Sequence, residues 1–137
     1  MANVVKKVDY YYALLRNEVG VAADVFAKLE AENVVLHAFS GFPTGRRVQL
    51  DLVPKKPSKL VQAARRMKIP LSAKKRCFLV TGPDAKGALV PVFRKLAEKH
   101  IGIVACTAVA SGGGRFGALL WVDPRDFARA TRALNAR

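Results

Sequence analysis

The sequence has few of the residues on which catalysis and metal binding usually depend. It contains two cysteines and two histidines in 137 residues. The spacing of Cys77 and Cys106 matches no zinc or redox motif, so both are predicted to be buried strand residues. His37 and His100 stand apart from each other and from any nucleophile in the sequence. The sequence therefore favours a protein that is not an enzyme and carries no metal or cofactor.

Long apolar runs are also missing. No apolar run follows Lys6 and Lys7 near the N-terminus, so the pattern is not that of a signal peptide. The longest stretch without a charge, residues 101–114, is too short and too rich in glycine to cross a bilayer. We therefore expect a cytoplasmic protein with no membrane partner.

Carboxylates are scarce relative to basic residues. Ten acidic residues stand against 24 basic ones, and the formal net charge is +14. No carboxylate occurs between Asp51 and Asp84, a segment that contains Lys55, Lys56, Lys59, Arg65, Arg66, Lys68, Lys74, Lys75 and Arg76. Such an excess attracts phosphates or anionic surfaces. Two interpretations stay open, a solvated helix face with a linker and a nucleic-acid-binding patch.

One segment occurs twice. Residues 20–29, GVAADVFAKL, and residues 87–96, GALVPVFRKL, share Gly, Phe, Lys and Leu in register at a distance of 67 positions. Both begin with glycine after a predicted strand and continue as an amphipathic helix. The match indicates an internal duplication. Its predicted equivalent pairs are Asn17 and Asp84, Gly20 and Gly87, Asn33 and His100, Gly45 and Gly114, and Val53 and Val122.

Each repeat predicts the order strand, helix, strand, strand, helix. This order is most of the ferredoxin-like βαββαβ plan, an α+β fold with helices on one face of an antiparallel sheet. The two domains are predicted as residues 1–70 and 71–137. Predicted strands occupy residues 8–15, 34–39, 46–53, 76–81, 100–110 and 116–122, and Asp123 with Pro124 begins the last helix.

Little sequence remains for a fourth strand in either repeat. Only residues 69–75 and 135–137 are available, so the fourth strands are predicted to be short or absent. Because an unpaired sheet edge is a liability, we expect the two halves, or two chains in a homodimer, to complete each other's sheets. Aligning the last strand with residues 48–52 puts Gly117, Leu119 and Trp121 under the helices. Phe116, Ala118 and Leu120 would then line the open face.

These features resemble tandem ACT domains. The resemblance covers residues 8–134 and depends on the topology, on the loops Asn17-x-x-Gly20 and Asp84-x-x-Gly87, and on residues 114–122, GRFGALLWV. It implies a non-catalytic regulatory protein that binds an amino acid or a related small molecule, and that acts on a protein partner. The implied ligand-binding residues are Asn17, Val19, Gly20, Val21, Asn33 and Val34 in the first repeat, and Asp84, Gly87, Ala88, Ile101 and Gly102 in the second.

The chemistry of the glycine loops agrees with this implication. A glycine lets backbone amides approach an anion, and the following helix N-terminus favours a carboxylate. Asn17 or Asp84 could accept from an ammonium group. Because the first repeat has both Asn17 and Asn33, we expect the ligand there. The alternative is that each glycine only makes a tight turn and binds nothing.

An RNA-binding protein that uses the ferredoxin-like sheet and a basic surface is the second interpretation. RNA-recognition domains stack bases on aromatic residues of their first and third strands. Phe78 and Phe116 occupy such strands in the second repeat, and the net charge agrees. Ala118, however, stands where a second stacking aromatic residue belongs.

Overall fold

The computed structural model describes residues 3–137, and the predicted order of elements is confirmed in both repeats. No helix among these residues is long and apolar enough to cross a membrane. The elements are β1 (Val4–Arg16), α1 (Val21–Ala31), β2 (Leu36–Thr44), β3 (Arg47–Pro54), α2 (Pro57–Met67), β4 (Lys75–Pro83), α3 (Val90–Glu98), β5 (Ile103–Gly112), β6 (Arg115–Val122) and α4 (Phe127–Ala133), with a 3₁₀ turn at Pro124–Asp126 before α4.

The chain forms two compact units. The N-terminal unit is Asp9–Lys75, and the C-terminal unit joins Arg76–Arg137 to the described residues through Val8. The strand order is β2-β3-β1 in the N-terminal unit and β1-β4-β6-β5 in the C-terminal unit. Strand β3 is antiparallel to β1 and β2, and β6 is antiparallel to β4 and β5. The compact units do not coincide with the predicted domains 1–70 and 71–137, because β1 is divided between the units. The predicted domain limits describe the sequence repeats and stay a prediction.

The first residues of β1 take the place of a fourth strand in the C-terminal unit. Strand β1 is the hydrogen-bonded neighbour of β4, and Val5 lies in the core of this unit, 7% exposed. The Lys7 amide donates to the Arg137 carbonyl at 2.9 Å, and the Arg137 amide donates to the Val5 carbonyl at 3.0 Å. Residues 69–74 and 135–137 form no strand. The fourth strands, predicted to be short or absent, are therefore absent. The expected completion of a sheet by the other half of the chain is therefore found for the C-terminal unit.

Helices cover one face of the sheet in each unit, as predicted. Alternate residues of a strand point to one face, and helical residues three or four apart share one stripe, so these two patterns meet in each core. In the N-terminal unit the buried residues are Tyr11, Ala13, Leu15, Val25, Leu29, Leu50, Leu52, Leu60, Ala63, Ala64 and Ile69. In the C-terminal unit they are Val5, Phe78, Val80, Val92, Leu96, Ile101, Phe116, Ala118, Leu120, Val122, Phe127, Ala130 and Leu134.

The prediction of which β6 side chains lie under the helices is wrong. Phe116, Ala118 and Leu120 pack in the core with residues of α3 and α4, whereas Leu119 and Trp121 lie outside that cluster. The cause is a misaligned repeat, since a slip of one residue exchanges the two faces of a strand.

The predicted pairs of Gly45 with Gly114 and of Val53 with Val122 assume a spacing of 69, whereas a single β-bulge makes the spacing 68 in the structure. Both β2 and β5 have a register irregularity near their start, but β5 has a second one between Ala110 and Gly112. This adds one residue, Ser111, and increases the spacing of the repeats from 67 to 68. Gly45 therefore corresponds to Gly113 rather than Gly114, and Val53 does not correspond to Val122.

Asp51 is the one charged side chain that is buried among the described residues, at 6% exposure. Its Oδ1 accepts a hydrogen bond from Nε2 of Gln49 at 2.8 Å. Burial raises the pKa of the Asp51 carboxyl, although the Gln49 hydrogen bond and the charge of Lys75 act in the opposite direction. A carboxyl whose pKa is raised in the folded state binds protons more tightly there than in the unfolded chain.

We predict that Val5→Asp destabilises the protein by at least about 2 kcal/mol, because it places a carboxylate in the core of the C-terminal unit. Lys6→Asp is the matched control, since Lys6 is exposed on the same strand and the change should cost much less. Thermal unfolding of both variants measures the difference. Equal losses would contradict the assignment of residues 4–8 to this core.

We predict that Asp51→Asn raises the melting temperature at pH 7, because the amide retains the acceptor for Gln49 and avoids a buried charge. The raised pKa means that the cost of the charged form is present at neutral pH and fades as the pH falls through the folded-state pKa. The advantage of the variant should therefore shrink toward pH 4. Melting curves between pH 7 and pH 4 test this, and a constant difference would contradict it.

Candidate functional site

Both predicted glycine loops adopt a left-handed backbone conformation that favours glycine. Gly20 has a φ of 91° directly before α1, and Gly87 has a φ of 67° in the turn before α3. Residues with side chains rarely adopt such angles. In the first loop, Asn17 is exposed and Val19 is fully exposed.

The remaining predicted residues lie at the far end of each helix. Asn33 has a φ of 58°, and its amide donates to the Glu30 carbonyl at 2.9 Å, so this residue ends α1. His100 adopts the same angle, 57°, after α3. Helix α1 has 11 residues, which corresponds to a length of about 16 Å. Within the N-terminal unit, Asn33 and Val34 are therefore not brought together with the loop.

The second repeat shows the same separation. Asp84, Gly87 and Ala88 lie before α3, whereas Ile101 and Gly102 follow it. Ile101 is a core residue, 4% exposed, and Gly102 is exposed. In each unit, the predicted residues of the glycine loop therefore lie at one end of the helix. The predicted residues at the start of the next strand lie at the other end.

A cleft of about 430 Å³ lies beside the second loop. We call it the C-terminal cleft. It contains Gly87 and Ala88 from the predicted set, and Asp84 lies between two of its lining residues. The lining residues are Asn3, Val5, Pro83, Ala85, Gly87, Ala88, Pro91, Val92, Lys95 and Leu134. Most of this surface is apolar, and among the described lining residues Lys95 has the one charged side chain.

Asn3 is a lining residue that the sequence analysis missed. Its Nδ2 donates to the Ala88 carbonyl at 2.7 Å and so ties β1 to the loop. A Cβ atom at Gly82 would collide with the Asn3 amide and would lie 3.1 Å from Cε1 of Phe116. The glycine in β4 thus makes room for Asn3. Only the course of β1 places Asn3 here, and the local sequence gives no signal for it.

A smaller cleft of about 250 Å³ occupies the corresponding place in the N-terminal unit. We call it the N-terminal cleft. Its lining residues include Val21, Asp24, Val25 and Lys28. By the repeat spacing of 67, these correspond to Ala88, Pro91, Val92 and Lys95, which line the C-terminal cleft. Two copies of one fold therefore have a cleft at the same place.

The two clefts differ in whether their lysine forms an ion pair. Nζ of Lys28 lies 3.1 Å from Oδ2 of Asp24, an ion pair between residues one helical turn apart. Pro91 replaces the aspartate in the second copy, and within residues 3–137 no carboxylate pairs with Lys95. Lys95 is therefore available to bind an anionic ligand, whereas Lys28 is already paired with the Asp24 carboxylate.

The potential metal ligands and the cysteines do not form a cluster in the described part of the chain. Residues 3–137 contain no group of three or more His, Cys, Asp or Glu side chains that could hold a metal ion. Cys77 is buried as predicted, but Cys106 is half-buried on the edge strand β5, so the prediction of two buried cysteines is wrong there. Burial raises the pKa of the Cys106 thiol, which therefore stays protonated at neutral pH.

The aromatic residues invoked for RNA stacking are not accessible. Phe78 is fully buried, and its ring stacks on Phe127 with the centroids 4.6 Å apart. Phe116 is 8% exposed in the same core. Bases therefore cannot stack on this pair, and an RNA platform built on it is ruled out.

No protein-family model matches the sequence, and no curated protein matches it either. Solved structures do match. Protein BT0572 from Bacteroides thetaiotaomicron superimposes with a TM-score of 0.82 at 18% identity, over 96% of this chain and 88% of that one. The ligand-free regulatory subunit of aspartate kinase from Thermus thermophilus gives a TM-score of 0.64 at 15% identity, over 98% and 95%.

A third solved structure with a similar fold is also a regulatory part of an aspartate kinase. A putative C-terminal regulatory domain of aspartate kinase from Porphyromonas gingivalis has a TM-score of 0.57 at 13% identity, over 98% of this chain and 94% of that one. At such low identities the likeness establishes the fold. The tandem ACT-type, ferredoxin-like arrangement predicted from the sequence is thereby confirmed at the level of the fold.

We predict that Gly82→Ala lowers stability by about 1–2 kcal/mol, because the new methyl group displaces the Asn3 amide from the Ala88 carbonyl. Gly117→Ala on the neighbouring strand β6 is the matched control, since no atom lies within 4 Å of a Cβ there. Thermal unfolding should show a loss for Gly82→Ala only. A similar loss in both variants would contradict the proposed packing of Asn3.

Proposed function

We propose that the chain is a non-catalytic regulatory protein that binds an amino acid in the C-terminal cleft. One observation carries this proposal: Lys95, with no ion-pair partner among the described residues, lines a largely apolar cleft beside the Gly87 loop. A cation at an apolar surface favours a ligand with one carboxylate and a hydrophobic body. Hydrophobic amino acids have this composition.

Each part of such a ligand would have a partner in the cleft or beside it. The Lys95 ammonium would pair with the carboxylate. The apolar side chain would bury itself against Val5, Val92 and Leu134, and each buried methylene would contribute about 0.8 kcal/mol. Asp84 is exposed between Pro83 and Ala85, which both line the cleft, and it would accept from the ammonium group.

The choice of the second copy departs from the expectation that the ligand binds at the first. The N-terminal cleft is smaller, and an anion there would have to displace Asp24 from Lys28. Binding at Asn17, Val19, Gly20, Val21, Asn33 and Val34 stays a prediction, as does a contribution of Ile101 and Gly102. These residues would contribute only where two such domains meet, as the resemblance implies.

A regulatory role is supported by the fold that the chain shares with regulatory parts of aspartate kinases. A ligand regulates a protein only to the extent that it binds one conformation better than another. We infer that occupancy of the cleft fixes the Gly87 loop and the start of β1 through the Asn3 hydrogen bond. A regulated protein partner, a homodimer and a cytoplasmic location stay predictions.

We predict that at least one hydrophobic amino acid raises the melting temperature of the protein. A ligand at 100 times its dissociation constant stabilises the folded state by about 2.7 kcal/mol. Lys95→Gln should abolish most of this shift because it removes the partner of the carboxylate. Lys28→Gln, which makes the same change at the same place in the first repeat, should leave the shift intact. Differential scanning fluorimetry with the twenty amino acids measures all three proteins.

Two results would contradict the proposal. One is a set of melting curves that no amino acid shifts at millimolar concentration. The other is a shift that Lys28→Gln removes and Lys95→Gln preserves, since that would place the ligand in the N-terminal cleft.

A further inference from the structure

The basic segment noted in the sequence forms an exposed surface around α2 in the N-terminal unit. We call it the α2 basic surface. Lys59 and Arg66 are seven residues apart on the helix and share a face, with Arg65 beside them. Its members are all exposed: Lys55, Lys56, Lys59, Arg65, Arg66 and Lys68. The surface does not include the C-terminal cleft, and the inference does not depend on the function proposed for that cleft.

Protein carboxylates neutralise little of this charge. Arg66 pairs with Glu32, with Nε and Oε1 3.2 Å apart. Among residues 3–137 no carboxylate pairs with the other five cations. Asp51, the nearest acidic residue before the segment, is buried. The surface therefore presents uncompensated positive charge to solvent.

The second repeat shows what the same helix looks like without this charge. Lys56 precedes Pro57 at the start of α2, and Asp123 precedes Pro124 at the same place in the second repeat. The Asp123 side chain accepts from the Arg125 amide at 2.9 Å. The connection between the last strand and this helix is one residue shorter in the second repeat, so the spacing returns from 68 to 67 at Pro57 and Pro124. Lys59 therefore corresponds to Asp126, which pairs with Arg129 at 2.9 Å.

Acidic residues stabilise a helix N-terminus and lysines oppose it, because the helix dipole is positive there. The first turn of α2 has no acidic residue, and its N-cap makes no side-chain hydrogen bond. The fold accepts aspartates at both positions in the second repeat. Aspartates at positions 56 and 59 would therefore stabilise α2 more than the lysines do. Residues that lower stability in this way are expected where they contribute to binding.

The composition of the surface favours one class of partner. None of the large exposed hydrophobic residues of the described chain lies on α2. Protein interfaces need buried aromatic or aliphatic anchors, and membrane-surface helices need an apolar face to insert. A phosphate backbone needs only cations. We propose that the α2 basic surface binds the phosphate backbone of a nucleic-acid duplex without reading its sequence.

The dimensions agree with this proposal. Helix α2 has 11 residues, which corresponds to about 16 Å. A DNA duplex carries one negative charge per about 1.7 Å of its axis, so the helix would face several phosphates at once. Lysine and arginine side chains that reach them would displace condensed counterions, and the affinity would fall steeply with salt.

The test compares two double variants of the full chain. Lys56→Asp/Lys59→Asp introduces the residues of the second repeat. Arg94→Glu/Arg132→Glu changes the net charge equally at exposed positions of the C-terminal unit. Fluorescence anisotropy with a labelled 20-base-pair DNA duplex measures the affinity at several salt concentrations. An RNA duplex and phosphatidylserine vesicles serve as further probes.

We expect wild type and Arg94→Glu/Arg132→Glu to bind the duplexes within about twofold of each other. Lys56→Asp/Lys59→Asp should bind at least about tenfold more weakly, with a salt slope smaller by about 2. Its melting temperature should meanwhile rise by about 2–6 °C, because the aspartates suit the helix N-terminus. A stable variant that has lost binding cannot be explained by unfolding.

Three outcomes would overturn the proposal. Equal losses in both variants would show that net charge alone attracts the duplex. Binding to phosphatidylserine vesicles but to neither duplex would assign the surface to membranes. Wild-type affinity in Lys56→Asp/Lys59→Asp would show that the α2 basic surface makes no contact with nucleic acid.

Discussion

The burial of Val5 in the C-terminal unit is the contact on which the candidate site depends. It holds the first residues of β1 next to β4, where a ferredoxin-like unit would otherwise need a fourth strand of its own. The same placement carries Asn3 to the Ala88 carbonyl and so completes one wall of the C-terminal cleft. The later residues of β1 pair with β3 in the N-terminal unit. One long strand thus contributes both to the sheets and to a wall of the cleft.

The duplicated halves have helices in the same order, left-handed helix ends at equivalent positions and a cleft at the same place, yet their charges differ. In the first copy Lys28 is paired with Asp24, whereas in the second a proline leaves Lys95 without such a partner. The reverse holds at the second helix, where Lys56 and Lys59 of the first copy replace aspartates. Because the two halves share one fold, both proposals depend on these differences in charge.

Sequence reasoning predicted the elements well, because hydrophobic periodicity and glycine or proline signals are local. It failed where one residue or one distant segment decides the outcome. The bulge at Ser111 adds one residue where the predicted alignment allowed two, and this difference reversed the predicted faces of β6. Asn3 lies before the region that resembles a known family, and only the tertiary course of β1 brings it to the loop. The pairing state of a lysine likewise becomes visible only once the helix and its neighbours are in place.

The most direct test of the account is an amide chemical-shift titration of the isotope-labelled protein with each of the twenty amino acids. The account predicts that at least one hydrophobic amino acid causes saturable shifts concentrated at residues 3–5 and 83–95. Shifts confined to residues 14–28, or no saturable shift with any amino acid, would contradict it.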